Sequence, residues 1–308
     1  MANTLRIDLR KTLLLLKRVP VLGAVIAFAG GIVRSLDRVI GDSGDGEALR
    51  ALKGSAHPAA RKVLAALVAL SEPPPPVAGA IEAFRLEMVK HKELLADGSL
   101  AGAGPSDAGI RVGEVCRVSK PPRQCHLLYL LAREFGAHSI LELGTNLGIS
   151  SAYLGSATAG RVVTLDASPY RLRLAGQFHE SLGLRNVQRI AGLFSDTLPG
   201  VLQNGRAFDL VFIDGHHLYR STLDYCSRIL PSAAAGAVFI FDDIRWSDEM
   251  QSAWGEVSGR PAFSLSVDLG EIGLCVVRGP GDPERAETIP RIDGWLRARG
   301  LLATRNPY

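Results

Sequence analysis

The sequence lacks several features that would assign it quickly to a class of protein. Four of its 308 residues are cysteines, and they stand without a Cys-x-x-Cys pair or a histidine at zinc-site spacing. Isolated cysteines of this kind are typical of buried thiols in a reducing compartment, and they argue against a disulfide scaffold or a cysteine-bound metal. The four are Cys116, Cys125, Cys226 and Cys275.

Most of the chain also has little excess of positive over negative charge. The formal net charge is +4 at pH 7, and the first 40 residues hold seven Lys or Arg against two Asp. The remainder is therefore about neutral, and none of the loops predicted to carry the site is rich in Lys or Arg. A nucleic-acid enzyme would be expected to have a basic substrate face. DNA and RNA are not expected as partners.

Long hydrophobic runs are lacking as well. Residues 19–33 carry no charge, but as a helix they would span roughly 22 Å, short of a bilayer core of about 30 Å. Before them, leucines at helical spacing beside Arg and Lys predict a basic amphipathic helix. Residues 1–40 are expected to pack on the domain or on a second subunit of a homodimer, or to contact a membrane surface. A signal peptide is a less favoured alternative.

Prolines divide the chain. Residues 41–46 form a Gly/Asp/Ser linker, residues 47–70 predict a helix interrupted near Gly54 and Pro58, and prolines 73–76 predict a polyproline-like break. We place a helical extension at 1–76, the main domain at 77–280, and a C-terminal helix and tail at 281–308. Within these, helices are predicted over 81–95 and, on the surface, over 284–299.

The dinucleotide fingerprint Gly-x-Gly-x-x-Gly is absent too. In its place an apolar strand over 139–143 runs into a turn from Gly144 to Gly148, followed by a helix that opens near Ser150. Glycines let the backbone approach a ligand closely, and a helix N-terminus offers N–H groups to an anion. The stretch predicts a nucleotide-like ligand.

A second strand ends in Asp166, 22 residues after Gly144. A carboxylate at this place suits the two hydroxyls of a ribose. The alternative is that Asp166 is an exposed cap of the helix that follows Pro169.

From Gln124 onward, apolar strands alternate with amphipathic helices, as in a doubly wound α/β domain. The near-continuous apolar runs fit strands buried on both faces. The last two strands are joined by a connection too short for a crossover helix, so they should form an antiparallel hairpin. Strands are predicted at 139–143, 161–165, 187–190, 210–213, 237–241, 263–267 and 274–277.

Four motifs in this order, ELGTNLGIS, TLD, FDLVFIDGHHLY and FDDI, resemble those of class I S-adenosylmethionine-dependent methyltransferases. The chain is most similar to a bacterial O-methyltransferase-like group with an Ile-Asp-Gly-x-His-x-Tyr signature. The resemblance spans residues 81–278. It implies S-adenosylmethionine as cofactor and a Rossmann-like, doubly wound, seven-stranded sheet, mostly parallel with a C-terminal antiparallel hairpin.

The resemblance also implies which residues hold the cofactor. Glu142 would lie near the methionine ammonium, and Asp166 with Ala167 at the ribose. Ser150 would hold the carboxylate end, although it could equally be only an N-cap. The other implied residues are Gly144, Thr145, Asn146 and Gly148 at the carboxylate end, and Phe194 and Ser195 beside the adenine.

Three carboxylates follow the fourth and fifth predicted strands: Asp214, Asp242 and Asp243. Like charges held together disfavour ionisation, and a hard divalent ion such as Mg²⁺ would relieve this. Metal-dependent catechol-type O-methyltransferases resemble this pattern, with Asp-Asn where this chain has Asp242-Asp243. The alternative is that Asp214 binds backbone of the cofactor site while Asp242 or Asp243 caps a turn.

His217 matches the histidine of the signature and is the candidate general base, because histidine suits proton transfer near neutral pH. Asp214 is the second candidate catalytic residue. Catechol-type enzymes place a Lys in this region, and none stands here. The alternative for His217 is a structural role beside a carboxylate. Trp246, Met250 and Trp254 share a helical spacing that predicts core packing first, or a pocket wall at the near end.

The predicted function is O-methylation of a hydroxyl on a small molecule, a sugar or a lipid-linked glycan. The alternative is a non-catalytic nucleotide-binding scaffold at a membrane surface. An oxidoreductase is excluded by the glycine spacing. A cytoplasmic location is expected because the cofactor is made in the cytosol, with membrane association through residues 1–40 as an addition.

Overall fold

The computed structural model describes residues 46–95 and 110–296, apart from residues 204, 206, 293 and 295. Outside these ranges lie the predicted amphipathic helix, the uncharged stretch and nearly all of the 41–46 linker. Their proposed contacts with a membrane or a second subunit stay predictions. Within the described ranges, no helix combines the length and apolar character needed to cross a bilayer.

Within the described residues, helices dominate the chain before the first strand. The predicted interruption near Gly54 and Pro58 is confirmed, since two helices form there and His57 caps the second by accepting the Ala59 N–H at 3.1 Å. The third helix starts and ends earlier than the predicted 81–95. These elements are α1 (Gly46–Gly54), α2 (Pro58–Ala69), α3 (Pro76–Met88), α4 (Val112–Arg117) and α5 (Pro122–Phe135).

From residue 139 to residue 289, strands alternate with helices over most of the chain. The elements are β1 (Ser139–Leu143), α6 (Ile149–Ala157), β2 (Arg161–Asp166), α7 (Pro169–Ser181), β3 (Val187–Ala191), α8 (Phe194–Leu202), β4 (Phe208–Ile213), α9 (Tyr219–Ile229), β5 (Ala233–Phe241), α10 (Asp248–Ser258), β6 (Phe263–Asp268), β7 (Gly273–Val277) and β8 (Glu287–Ile289).

The strands form one sheet in the order β3-β2-β1-β4-β5-β7-β6-β8. Strands β1 to β5 are parallel, while β7 runs antiparallel to both β5 and β6. The mostly parallel Rossmann-like sheet and the antiparallel hairpin are therefore confirmed, and each of the seven predicted strands is present within a few residues of its predicted bounds.

The described part of the chain forms eight strands, one more than predicted, and the predicted surface helix over 284–299 is wrong at its start. Residues 287–289 form β8, which pairs parallel with β6. Ile289, Ile292 and Leu296 are buried. The pattern misled because three apolar residues spaced along a short polar segment fit a helical stripe and an edge strand with a buried tail equally well.

Both faces of the sheet are covered, which explains the near-continuous apolar strands. Neighbouring residues of β1 go to opposite cores: Ile140 packs with helices α1, α2 and α5, and Leu141 packs with α8 and α9. Leu49 and Val63, from the predicted extension, are fully buried in the first of these cores. Residues 46–70 thus share a core with the sheet, while the domain limits at 76 and 280 stay predictions.

Ile292→Ala tests whether the C-terminal segment is part of the core. Ile292 is fully buried, and its N–H donates to the Asp268 carbonyl at 3.0 Å. Truncating it should lower the free energy of unfolding by about 2–4 kcal/mol in urea titrations. The exposed Glu284→Ala is the control and should change it by less than about 0.5 kcal/mol. Equal, small effects of both would contradict the burial.

Candidate active site

The site lies where the strand order reverses, between β1 and β4, which is where open α/β sheets bind ligands. The ends of three strands are tied together there. Asp214 donates its backbone N–H to the Leu143 carbonyl at 2.9 Å, and Gly144 donates to the Leu165 carbonyl at 2.9 Å. The turn after β1 and the carboxylate after β4 are thus neighbours.

Gly144 is required by this close approach. Its φ is +106°, and a Cβ built on it would lie 2.0 Å from the Asp214 carbonyl oxygen. No side chain fits such a gap, and L-residues rarely adopt this φ. The glycine turn therefore sets the distance between the two halves of the site.

A cavity of about 880 Å³ opens above these strand ends. It is continuous from the glycine turn to the carboxylates after β4 and β5. Ten of the predicted site residues line it: Gly144, Thr145, Asn146, Ser150, Asp166, Ala167, Phe194, Asp214, His217 and Asp243.

Asp166 is 5% exposed and already holds the turn. It accepts the Asn146 N–H at 2.8 Å and the Ser168 N–H at 2.9 Å, and its Oδ1 lies 2.8 Å from Arg171 Nη2. The alternative of an exposed helix cap does not hold, because Ser168 caps α7 by accepting the Arg171 N–H at 3.1 Å.

Glu142 is fully buried and is not among the cavity's lining residues. Its Oε2 accepts the Thr164 hydroxyl at 2.6 Å. Burial raises the pKa of Glu142 to about 7, although hydrogen bonds from Ser150, Thr164 and Ser151 oppose the increase. The carboxyl group can therefore change charge near neutral pH, beneath the cofactor turn.

Phe194 and Ser195 start α8 at the other side of the cavity. The Phe194 ring packs on His216, with ring centroids 5.4 Å apart, and forms an apolar wall. Ser195 is exposed and donates to Asp196 at 2.7 Å. Ser195 does not line the cavity, and neither do Gly148 and Asp242.

His217 stands between two carboxylates. Its Nε2 lies 3.6 Å from Asp214 Oδ1 and 3.7 Å from Asp243 Oδ2, and its side chain is 29% exposed toward the cavity. Asp243 adopts a φ of +51°, a strained conformation for a residue other than glycine. The strained backbone places the Asp243 carboxylate within reach of His217.

Lys120 enters the same group from the loop before α5. Its Nζ contacts Asp242 Oδ2 and lies 3.1 Å from Asp243 Oδ1. Burial alone would lower the pKa of Lys120, but Asp242, Asp214 and Asp243 outweigh it and raise the pKa above its usual value. The side chain therefore carries a positive charge.

The buried carboxyl groups respond in turn. Burial raises the pKa of Asp242 to about 7; Lys120 opposes the increase and Asp214 adds to it. Burial also raises the pKa of Asp214 and of Asp243. Three carboxyl groups with one ammonium thus form a coupled set at the ends of β4 and β5.

The Lys120 loop is held from both sides. Arg85, fully buried in α3, donates to the Lys120 carbonyl at 2.7 Å and pairs with Glu82 at 2.7 Å. From the glycine turn after β1, Asn146 Nδ2 donates to Ser119 Oγ at 3.2 Å. The loop that carries the ammonium is therefore tied to the glycine turn.

Comparisons with known proteins agree with this geometry. A family described as a methyltransferase domain matches residues 141–244. The chain is 32% identical over 155 residues to a catechol O-methyltransferase of Mycobacterium tuberculosis. The match covers 48% of this chain and 69% of that protein. The chain belongs to the class I S-adenosylmethionine-dependent O-methyltransferases.

Two further similarities concern shorter or more distant matches. A catechol O-methyltransferase of Niastella koreensis is 37% identical over 101 residues, 32% of this chain and 46% of that protein. A crystal structure of an O-methyltransferase from Bacillus cereus in complex with SAH is 22% identical and superimposes with a TM-score of 0.49, over 67% of this chain and 93% of that chain.

In this methyltransferase, the donors for the predicted divalent ion come together only in part. Single ligand atoms of Asp214, His217 and Asp242 lie within 4.8 Å of one another. Asp242, however, is in contact with the Lys120 ammonium, which also bridges to Asp243. The acidic set is thus partly neutralised by the chain itself, and the fit for an added metal ion is poor.

Lys120 is the residue that the motifs missed. No lysine stands near His217 in the sequence, as expected. In the folded chain, however, Lys120 lies at the carboxylates of Asp242 and Asp243. Its one local signal is the pair Pro121-Pro122, since a residue before proline is held extended and the second proline starts α5. Nothing in that pattern shows where the ammonium points.

Trp246 is also placed differently from the first expectation. Met250 is buried as core packing predicts, but Trp246 is 72% exposed and lines the cavity. It precedes α10, so the helical spacing with Met250 does not apply to it.

Glu142→Gln tests the buried carboxyl group. Its pKa rises from 4.5 to about 7 on folding, so the folded state keeps the proton that the unfolded chain loses as the pH rises through this window. Stability falls across it, and the neutral amide removes this loss. The free energy of unfolding of the variant should exceed that of the wild type by about 3 kcal/mol at pH 8 and match it at about pH 4, below the unfolded pKa, in urea titrations without cofactor. Destabilisation of the same size at both pH values would contradict the assignment.

Proposed function

We propose that this chain transfers the methyl group of S-adenosylmethionine to a hydroxyl of a small acceptor that binds over His217. One observation carries the proposal: a single cavity joins the glycine turn of the cofactor side to a histidine flanked by two carboxylates. The cofactor and acceptor can therefore meet in one cavity.

On the cofactor side, the backbone of Gly144, Thr145 and Asn146 would take the carboxylate end of the cofactor. Asp166, with Ala167 beside it, would take the ribose hydroxyls, and Phe194 would border the adenine. The wall that Phe194 forms with His216 suits a flat base. Glu142 would act through the turn, because it is buried beneath the cavity.

The reaction needs a nucleophilic oxygen in line with the methyl carbon. His217 Nε2 would take the acceptor's proton as the oxygen forms a bond to the methyl group, while the carbon–sulfur bond breaks and its electron pair stays on sulfur. Asp214 and Asp243 would stabilise the imidazolium that forms, at 3.6 and 3.7 Å. Much of the acceleration comes from proximity and orientation, which the cavity supplies. No step here requires the predicted Mg²⁺.

The mouth of the cavity favours an acceptor with an apolar part. Large apolar side chains stand exposed around it, among them Val118 at 74% and Trp246 at 72% exposure, with Leu193 and Leu218. An aromatic ring or a lipid chain would bury this surface, whereas a bare sugar would leave it in water. A hydroxylated aromatic or a lipid-linked molecule is therefore the proposed acceptor. Membrane contact through residues 1–40 would bring a lipid-linked acceptor within reach.

Asp166→Ala should abolish cofactor binding measured by titration calorimetry with S-adenosylmethionine and S-adenosylhomocysteine. The loss of two ribose hydrogen bonds to a charged group should weaken binding at least ~100-fold. Asp224→Ala, on the exposed face of α9, is the matched control and should bind as the wild type does. If Asp166→Ala binds the cofactor as tightly as the wild type, the Asp166 side chain does not bind the ribose.

His217→Gln should separate chemistry from cofactor binding. With catechol as the probe acceptor, the rate constant for methyl transfer should fall by about 10²–10⁴-fold because the general base is lost, while calorimetric affinity for S-adenosylmethionine stays the same. His138→Gln, exposed at the opposite end of β1, should keep full activity. A fall in rate below ~3-fold for His217→Gln would assign the base to another group.

A further inference from the structure

Lys120 is a buried charged residue with no role in the methyl transfer proposed above. Its side chain is 10% exposed and lines the cavity beside Asp214, His217 and Asp243. It meets the carboxylates of both residues that follow β5. Charged side chains are rarely buried without a specific partner, and here the partners belong to the acceptor side of the site.

The ammonium stands where a metal ion would have to approach. Mg²⁺ requires oxygen ligands at about 2.0–2.1 Å in octahedral geometry. The Asp242 carboxylate, which belongs to the candidate donor set, is in direct contact with Lys120 Nζ. A divalent ion on Asp242 would lie beside a positive charge in a poorly solvated place, where repulsion is strong.

The backbone of Lys120 is held in place by several contacts. The Lys120 carbonyl accepts from Arg85 Nη2 at 2.7 Å and from Cys125 Sγ at 3.4 Å, and Pro121 restricts the backbone that follows. Arg85 is itself held by Glu82, which accepts the Tyr153 hydroxyl at 3.0 Å. These contacts fix the backbone from which the Lys120 side chain reaches the two carboxylates.

We propose that the ε-ammonium of Lys120 is the resident cation of the acceptor site, in the place of a divalent metal ion, and that methyl transfer by this chain proceeds without metal. The inference rests on the proposed function and adds a group to it. Asp243 Oδ1 accepts one N–H of the ammonium at 3.1 Å, and Asp242 Oδ2 is in ion-pair contact with it, of the three donors that an ammonium carries. The third is available to the acceptor oxygen, whose developing negative charge Lys120 stabilises while His217 takes the proton.

Binding of Mn²⁺ alone, followed by electron paramagnetic resonance of the free ion, tests this without knowledge of the acceptor. The samples are the wild type, Lys120→Met, the double variant Lys120→Met with Asp242→Asn, and Lys90→Met as the exposed control. We expect the wild type and Lys90→Met to leave millimolar Mn²⁺ free. Lys120→Met should bind one Mn²⁺ per chain with a dissociation constant below ~1 mM, and the double variant should lose it.

Two results would overturn the proposal. Stoichiometric Mn²⁺ binding by the wild type would show that the ammonium does not replace the metal. Failure of a folded Lys120→Met to bind Mn²⁺ would show that the lysine does not stand in a metal's place. If Lys120→Met does not fold, Lys120→Gln takes its role, since its amide can still donate to Asp242, and the same two outcomes apply.

Calorimetry with S-adenosylmethionine on the same samples separates this inference from the proposed function. Cofactor binding by the wild type together with Mn²⁺ binding would overturn the lysine assignment and leave the methyltransferase proposal standing. If the wild type does not bind S-adenosylmethionine, the proposed function itself is wrong.

Discussion

The close approach of Gly144 to the Asp214 carbonyl is the constraint on which the site depends. A Cβ at Gly144 would lie 2.0 Å from that oxygen, so the turn after β1 and the end of β4 can meet only through a glycine. Their meeting brings the glycine turn and the carboxylates after β4 and β5 to one cavity. The order of the strands sets where the site lies, and the lack of a side chain at Gly144 allows the turn to approach the end of β4 closely.

Charge balance is the second organising feature of the site. Asp214, Asp242 and Asp243 converge at low exposure, and burying like charges together is costly. Lys120 offsets this cost from a distant part of the chain, with Arg85 and Asn146 holding its loop. The same asparagine donates its N–H to Asp166, so the cofactor side and the acceptor side share a framework. The glycine turn and the loop that carries the ammonium are therefore physically linked.

The sequence predicted the local features of this fold well and the non-local ones poorly. The strand ends, the glycine turn and Asp166 follow from short apolar runs and spacings, which depend on neighbouring residues. Lys120 reaches Asp242 across more than a hundred residues of chain, and no periodicity records such a contact. Strand β8 was missed because three residues carry too little pattern to distinguish an edge strand from a helix. The burial of Glu142 below the cavity likewise depends on packing that spacing does not show.

The most direct test of the account is a crystal structure of the protein with S-adenosylhomocysteine. The nucleoside should lie between Asp166 and Phe194, the homocysteine carboxylate should meet the backbone of Gly144 to Asn146, and the sulfur should face His217. Such a complex would show that the reaction takes place at the junction of β1 and β4. A nucleoside bound elsewhere, or with its sulfur directed away from His217, would contradict the account.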